Sequence, residues 1–389
     1  MSRTASKARV RRRYQRGVTL VELMVAMLLA LLLITAALAM VLATSRTSGT
    51  FDALARTQEA GRLALVMMER DLRMAGYRGC AFGAVNSLLD PAGSGWSEAV
   101  YDFNEPYFGW SESDVAAIPS GTLPAAFHTR YARGDVLVVK NAAVPLGVGL
   151  GADITADSDV AELDTAIDVP VGSLVLVSDC GGGGDLFQVT TDDLSPSDRL
   201  ERNASLPGIT PGNLDPALHV FSRLYPAVST ELMQAQSNVY YVGFQESADG
   251  DLTATSSLRR IRMGERVGGA APDDELLEGI YDMRVQYGVD LSGNGSADDY
   301  RRADALAAED WAQVVSLRLS VLAYGGEGTD EAVNDDAYAV PFDETIWDFS
   351  GGEVEPDPHG DPGELRFVPP DRRVYRFFST TVAVRNRVG

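Results

Sequence analysis

From Leu23 to Leu42 the chain runs for 20 residues without a charged side chain, LMVAMLLALLLITAALAMVL. As a helix, that run is long enough to cross a hydrocarbon core of about 30 Å. Past it, Leu65, Met68, Leu72 and Ala75 recur at 3-4-3 spacing and line one helical face with apolar side chains. Glu69 and Arg73 fall four residues apart on another face, a favourable pair. No proline occurs before Pro91, and the abundant Leu, Ala, Met and Arg favour helix. The pattern predicts one helix from about Val18 to Ala75, roughly 87 Å long at about 1.5 Å per residue. Gly76 is placed to stop it. Gly49 is placed to loosen it beyond the apolar run.

After Gly76 the periodicity changes. Residues 77–133 are rich in Gly, Pro, Trp and Tyr and read as irregular. Strand-like runs follow at Asp135–Asn141, Ser173–Asp179 and Leu186–Thr191. Two more, Asn238–Gln245 and Leu258–Met263, flank an Asp249-Gly250 turn signal. Tyr281, Met283, Val285, Tyr287 and Val289 alternate with other residues and predict one apolar strand face. Leu317, Leu319 and Val321 do the same, and a last strand is expected over about Val374–Val384. Acidic, Gly/Pro-rich stretches near 146–170, 192–216 and 326–366 read as surface loops. One long helix followed by strands predicts an α+β chain: a transmembrane N-terminal α-helix and a globular head with an antiparallel β-sheet. The expected boundaries are 1–17 for a basic leader, 18–44 for the apolar helix, 45–76 for its amphipathic continuation and 77–389 for the β-rich head.

Charge adds an orientation. Residues 1–17 hold seven basic side chains (Arg3, Lys7, Arg9, Arg11, Arg12, Arg13 and Arg16) and no acid, while the remaining 26 basic residues face 55 acids. A basic flank before an apolar run stays in the cytoplasm, which puts the bulk of the chain outside it. The acidic body argues against direct nucleic-acid binding, because phosphates need positive surface. Cys80 and Cys180 are the whole thiol content. In an exported head the expectation is one disulfide; in a reducing compartment they would be inert core residues. Their spacing is not Cys-x-x-Cys, so a staple is expected and not a redox site.

Three readings compete for the apolar segment. A cleavable secretory signal fits an A-x-A-like cut at Ala36-Ala37-Leu38-Ala39, although such signals have shorter apolar regions. A plain signal anchor is the second. Neither accounts for the polar edge, Arg16-Gly17-Val18-Thr19-Leu20-Val21-Glu22. That edge resembles the type IV pilin-like prepilins, which are cut after a glycine, begin with a hydrophobic residue and carry a glutamate at the fifth mature position. The resemblance implies cleavage by a prepilin peptidase between Gly17 and Val18, N-methylation of Val18, and a role for Glu22 in assembly. Members most often begin with Phe and commonly carry a proline in the first half of the helix; this chain departs on both counts. Glu22 also has a physical rationale of its own. A carboxylate at the membrane end of a helix is costly unless paired or protonated. A free amine at Val18, with a pKa of about 8, is a partner for it in a neighbouring subunit.

The segment from Arg70 to Cys80 is similar to the helix exit of PilW-type minor pilins. Further similarity lies in Tyr281–Asp290, in Trp311 with the strand after it, and in Tyr375–Asn386. The resemblance implies a minor pilin that primes type IV pilus assembly near the tip and so serves motility, adhesion or DNA uptake. It implies other minor and major pilins, the pilus assembly platform, inner-membrane lipid and a tip adhesin as partners. It also implies a single-pass inner-membrane location, with the N-terminus cytoplasmic and the head periplasmic, before passage to the cell surface. A type II secretion pseudopilin shares the same N-terminal signal and stays open. A membrane-anchored periplasmic enzyme is the remote alternative.

Asp290-Leu-Ser-Gly-Asn-Gly-Ser-Ala-Asp-Asp begins like a calcium loop. Asp290, Ser292 and Asn294 alternate as ligands would, Gly295 permits a sharp turn, and Asp298 is well placed. Arg301 stands where a bidentate Glu belongs, so an acidic hairpin turn competes with calcium, the one cofactor in view. Gly181–Gly184 lacks the Lys-Ser/Thr of a phosphate cradle and reads as a flexible turn. Gly147-x-Gly149-x-Gly151 does not fit a dinucleotide site. His128, His219 and His359 are isolated, and no Gly-x-Ser-x-Gly elbow occurs, so no catalytic residue is assigned. Trp96, Tyr101, Phe103, Tyr107, Phe108 and Trp110 form an aromatic-rich stretch, read either as core packing or as a partner-binding loop.

Overall fold

The computed structural model describes residues 18–191, 196–204, 208–246, 252–266, 270–326, 338–339, 354–356, 365–367, 369–371 and 373–384. The basic leader with Gly17, the Asp249-Gly250 signal, His359, Asn386 and most of the 326–366 stretch lie outside the described residues. The chain forms two units, Met1–Asp52 and Ala53–Gly389. One helix, α1 (Leu20–Met74), contributes to both.

In the first unit every Leu, Ile, Val and Met from Leu23 to Leu42 is more than half exposed. Among the described residues, α1 is the one helix long and apolar enough to cross a membrane. Gly49 does not loosen it: the helix continues through that position. A single glycine costs about 1 kcal/mol against alanine, too little to break a run of good helix formers.

In the second unit α1 ends as its sequence predicts. Gly76 takes a φ of 72°, the left-handed conformation that glycine adopts without strain. Its N–H donates to the Lys140 carbonyl at 2.9 Å, which ties the helix end to a strand. Three short helices follow in the head: α2 (Glu98–Tyr101), α3 (Glu112–Val115) and α4 (Ala125–Arg130). The first strands are β1 (Val85–Ser87), β2 (Tyr107–Trp110), β3 (Tyr131–Pro145), β4 (Val160–Ile167), β5 (Leu174–Ser178), β6 (Gly184–Gln188) and β7 (Ser197–Glu201). After them come β8 (Glu231–Glu246), β9 (Leu252–Arg262), β10 (Asp273–Glu278), β11 (Ile280–Val289), β12 (Asp299–Arg301) and β13 (Val314–Gly325). The chain closes with β14 (Tyr338–Ala339), β15 (Val354–Pro356), β16 (Leu365–Phe367) and β17 (Val374–Ala383).

An eight-stranded sheet has the order β1-β6-β5-β8-β3-β2, with β9 on β8 and β10 on β9. A second sheet has the order β12-β11-β13-β17. Pairing is antiparallel except for β1 against β6, which run parallel with Val85 opposite Gly184. The strands on either side of the Asp249-Gly250 signal do form a hairpin pair, with Glu246 opposite Leu252.

The main core lies where the predicted stripe meets both sheets. Ala64, Leu65, Met68 and Leu72 of α1, with Ala75 just past its end, pack with Leu137, Tyr240 and Leu258 of the large sheet, and with Val285, Leu319 and Val382 of the smaller one. Met68 and Leu72 are fully buried, and each such side chain contributes about 1.5–3 kcal/mol by leaving water. The opposite face of the large sheet presents Val136, Val138 and Tyr241 to Tyr101, Phe103 and Phe127. Most of the aromatic stretch is therefore core: Tyr101, Phe103 and Tyr107 are buried, and Trp96, Phe108 and Trp110 are half-buried.

Three expectations need correcting. The segment 77–133 is not irregular, since it carries two strands and all three short helices. The stretches 146–170 and 192–216 are not plain surface loops. They supply β4 and β7, and they bury Leu150, Ile154, Leu163 and Leu200 in a core of their own with Phe187 and Tyr225. Finally, β11 has two buried faces, not one. A bulge between Ile280 and Asp282 turns Tyr281 away from Met283, Val285 and Tyr287, into a separate cluster with Tyr324 and Tyr375.

Candidate assembly site

At the polar edge of α1, Thr19 is the N-cap. Its Oγ1 accepts the Glu22 N–H at 3.2 Å, and Glu22 Oε2 accepts the Thr19 N–H and hydroxyl, each at 3.3 Å. This reciprocal pair is a capping box, and it satisfies donors that a helix start would leave open. Thr19-x-x-Glu22 is the sequence signature of that box. Val18 and Glu22 are exposed, and Glu22 Oε1 has no hydrogen bond among the described residues.

Within the second unit, the exit of α1 is held by a polar clasp. Asp71 Oδ2 accepts from the Tyr240 hydroxyl, from Asn238 Nδ2 at 3.2 Å and from Arg260 at 3.5 Å. Burial pushes the Tyr240 phenol up, and the Asp71 charge adds to it, so the hydroxyl stays protonated and donating. Glu69 and Arg73 form the predicted i,i+4 pair.

Just beyond, Cys80 and Cys180 are bonded, with Cα atoms 4.9 Å apart. The bond joins the helix exit to the turn between β5 and β6. The Gly181–Gly184 run forms this turn, as composition predicts, and leads into β6. A Cβ on Gly183 would stand 1.8 Å from the Ala84 carbonyl oxygen, so close backbone approach dictates glycine there.

The loop from Asp290 is the hairpin connection from β11 to β12. Asp290 Oδ1 accepts N–H bonds from Gly293 at 2.7 Å and Asn294 at 3.0 Å, and Oδ2 accepts from Gly295 at 2.7 Å. Asp298 accepts the Ser292 N–H at 2.8 Å, and Asn294 accepts from Ser296. The amides, Gly295 foremost, hold the Asp290 carboxyl below the usual range. Among the described residues, no three of these acids bring carboxylate oxygens within 4.8 Å of one another. The acidic turn accounts for the loop, and the cation reading gains no support beyond its spacing.

Sequence reasoning missed a buried ionic cluster. Arg284 of β11, 2% exposed at its side chain, pairs with Asp282 at 2.8 Å, Glu112 of α3 at 2.6 Å and Asp135 of β3 at 3.8 Å. Asp135 also accepts backbone N–H bonds from Glu112 and Val285. Burial raises the Asp282 carboxyl to about 6; Arg284 opposes the shift, and Glu112 and Asp135 add to it. The available signal was a pair of opposite charges at alternate strand positions, Asp282 and Arg284, behind a face already identified as apolar.

Residues 239–386 match the family model of type IV pilus-assembly protein W, and residues 12–38 match the prokaryotic N-terminal methylation motif. No curated protein and no solved structure matches the chain. The first match runs from the second half of β8 through β17, and so takes in the second sheet on which α1 rests. The second covers Gly17, Val18 and Glu22. A long apolar N-terminal helix, a β-rich head and these two matches, one at each end, are consistent with a prepilin-like minor pilin similar to type IV pilus-assembly protein W and support a part in type IV pilus assembly.

Proposed function

We propose that the chain is made as a precursor whose leader, residues 1–17, stays cytoplasmic and is removed by a prepilin peptidase between Gly17 and Val18. The new Val18 amine is methylated. The apolar helix stays in the inner membrane with the head on the periplasmic side, until the subunit joins other minor and major pilins at the assembly platform. The observation that carries this reading is Glu22, at the edge of a 20-residue charge-free run, exposed and with one carboxylate oxygen open. Withdrawal from lipid would make that charge costly, and a neighbouring Val18 amine relieves the cost. Mass spectrometry of the protein purified from cells with active peptidase tests it. The expected N-terminus is Val18 carrying one methyl group. An N-terminus beyond Ala39 would instead establish a discarded secretory signal, and an intact leader would establish a plain anchor.

A further inference from the structure

Asn294-Gly295 is the one Asn-Gly pair in the sequence, and it sits at the tip of the hairpin between β11 and β12. Both residues are exposed. Gly295 takes a φ of 82°, and nothing lies within 4 Å of the place where its Cβ would stand. Such a pair is first of all a turn former, because glycine adopts the left-handed conformation freely. It also carries a chemistry of its own. The glycine nitrogen can attack the side-chain amide carbon of the asparagine before it and close a five-membered ring. With no Cβ on the glycine, that approach is open.

Ring closure is helped by a base on the nucleophile's proton and by a donor on the oxygen where charge develops. The hairpin tip supplies both. The Gly295 N–H donates to Asp290 Oδ2 at 2.7 Å, so the proton that must leave already points at a carboxylate. The Ser296 N–H donates to Asn294 Oδ1 at 2.7 Å, which polarises the carbonyl under attack. Asp290 is itself fixed in place, since its Oδ1 accepts the N–H groups of Gly293 at 2.7 Å and Asn294 at 3.0 Å. Nucleophile, base and polarised carbonyl are therefore held together by one short loop, with solvent on its outer side. These bonds also shape the turn, but Asp-Gly would serve a turn equally well and offers no amine to lose.

We propose that Asn294 is a self-modifying site, which loses its side-chain amide in the folded protein with Asp290 as the base. As the bond from Gly295 N to Asn294 Cγ forms, Asp290 takes the Gly295 proton and passes it to the departing amide nitrogen. The Cγ–Nδ2 bond breaks and ammonia leaves. The resulting succinimide adds one water at either carbonyl and opens to aspartate or isoaspartate; nothing is oxidised or reduced. The tip gains a carboxylate near Asp290 and Asp298, and the isoaspartate product also lengthens the main chain by a methylene. Both products accumulate after folding, so the hairpin records the age of the molecule. The inference does not depend on the minor-pilin reading.

The test incubates the full-length protein in detergent micelles with a chelator, beside the same protein unfolded in urea. Trypsin then releases Val285–Arg301, whose ends follow Arg284 and Arg301. The change of amide to acid at residue 294 is located by fragmentation in the mass spectrometer, and isoaspartate is counted by labelling with an isoaspartyl methyltransferase. Conversion roughly tenfold faster in the folded protein is expected. Asp290→Asn, which keeps the shape of the side chain but removes the base, is expected to bring the folded rate down to the unfolded one while near-ultraviolet circular dichroism stays unchanged. Asn294→Gln is expected to stop isoaspartate formation in this peptide. A folded rate equal to or below the unfolded rate, or an Asp290→Asn variant as fast as the unaltered protein, would overturn the proposal.

Discussion

Replacing Arg284 by methionine removes the cation that holds the two sheets' buried acids together. Methionine fills most of the volume of the stem, so the loss is mainly electrostatic. Arg284, Asp282 and Asp135 have side chains 2%, 0% and 4% exposed, so solvent does little to screen them. Breaking a buried pair by removing one partner costs about 3–5 kcal/mol, because the other charge stays buried. The pH dependence gives a sharper test. Asp282 has a folded carboxyl at about 6, above its unfolded value. The folded state therefore holds a proton that the unfolded state has lost. The associated stability is fully present below the unfolded pKa and is lost as pH rises through about 6. Arg284 opposes that rise, so without it the folded pKa climbs further. Each added unit enlarges the penalty at pH 8 by about 1.4 kcal/mol and leaves the penalty at acid pH almost unchanged. Urea unfolding of the full chain in detergent, at pH 5 and at pH 8, measures both. The expected result is a larger loss at pH 8, with much of it recovered when Asp282→Leu accompanies Arg284→Met. A loss below about 1 kcal/mol, or the same loss at both pH values, would refute the reasoning.

Glu22→Gln keeps the geometry of the capping box but not the charge, while Glu22→Ala loses both. Both variants are expected to insert in the membrane. If charge pairing drives assembly, both are depleted from sheared filaments on immunoblots, and normal incorporation of Glu22→Gln would remove the pairing argument. Converting Cys80 and Cys180 to serine opens a closed loop of 100 residues, and the chain-entropy model puts the loss near 4.7 kcal/mol, read as a lower urea midpoint. Gly183→Ala places a methyl against the Ala84 carbonyl, so a fall of several degrees in melting temperature is expected; an unchanged midpoint would mean that the turn relaxes freely.

The long helix, its stop at Gly76 and the stripe that docks it were all legible, because periodicity and a glycine signal are local properties. The strands over Asp135–Asn141, Asn238–Gln245 and Val374–Val384 were placed for the same reason, although β8 begins earlier, at Glu231. Short elements were not legible. Helices α2 and α3 have four residues each, too few to show a period, and exist by packing alone. The core beneath the 146–170 stretch draws Leu150, Ile154 and Leu163, too few and too unevenly spaced to show a repeating period. Long-range pairing was hidden as well. The parallel match of β1 with β6 spans 99 residues, from Val85 to Gly184, and the Glu112–Arg284 contact spans 172. The bulge in β11 defeated a strict alternation that was otherwise sound. At the candidate assembly site both the charge of Glu22 and its capping partner Thr19 are local features of the sequence, three residues apart.

The seating of α1 on the last strand has a kinetic consequence. Thr57 donates to the Val374 carbonyl across 317 residues of chain, and Val382 completes the cluster around Met68 and Leu72. During synthesis the helix emerges first, and its greasy stripe stays incompletely covered until β17 arrives. So long a delay favours sticking to the wrong neighbour, and a subunit of this design is expected to need escorting while its final residues are still being made.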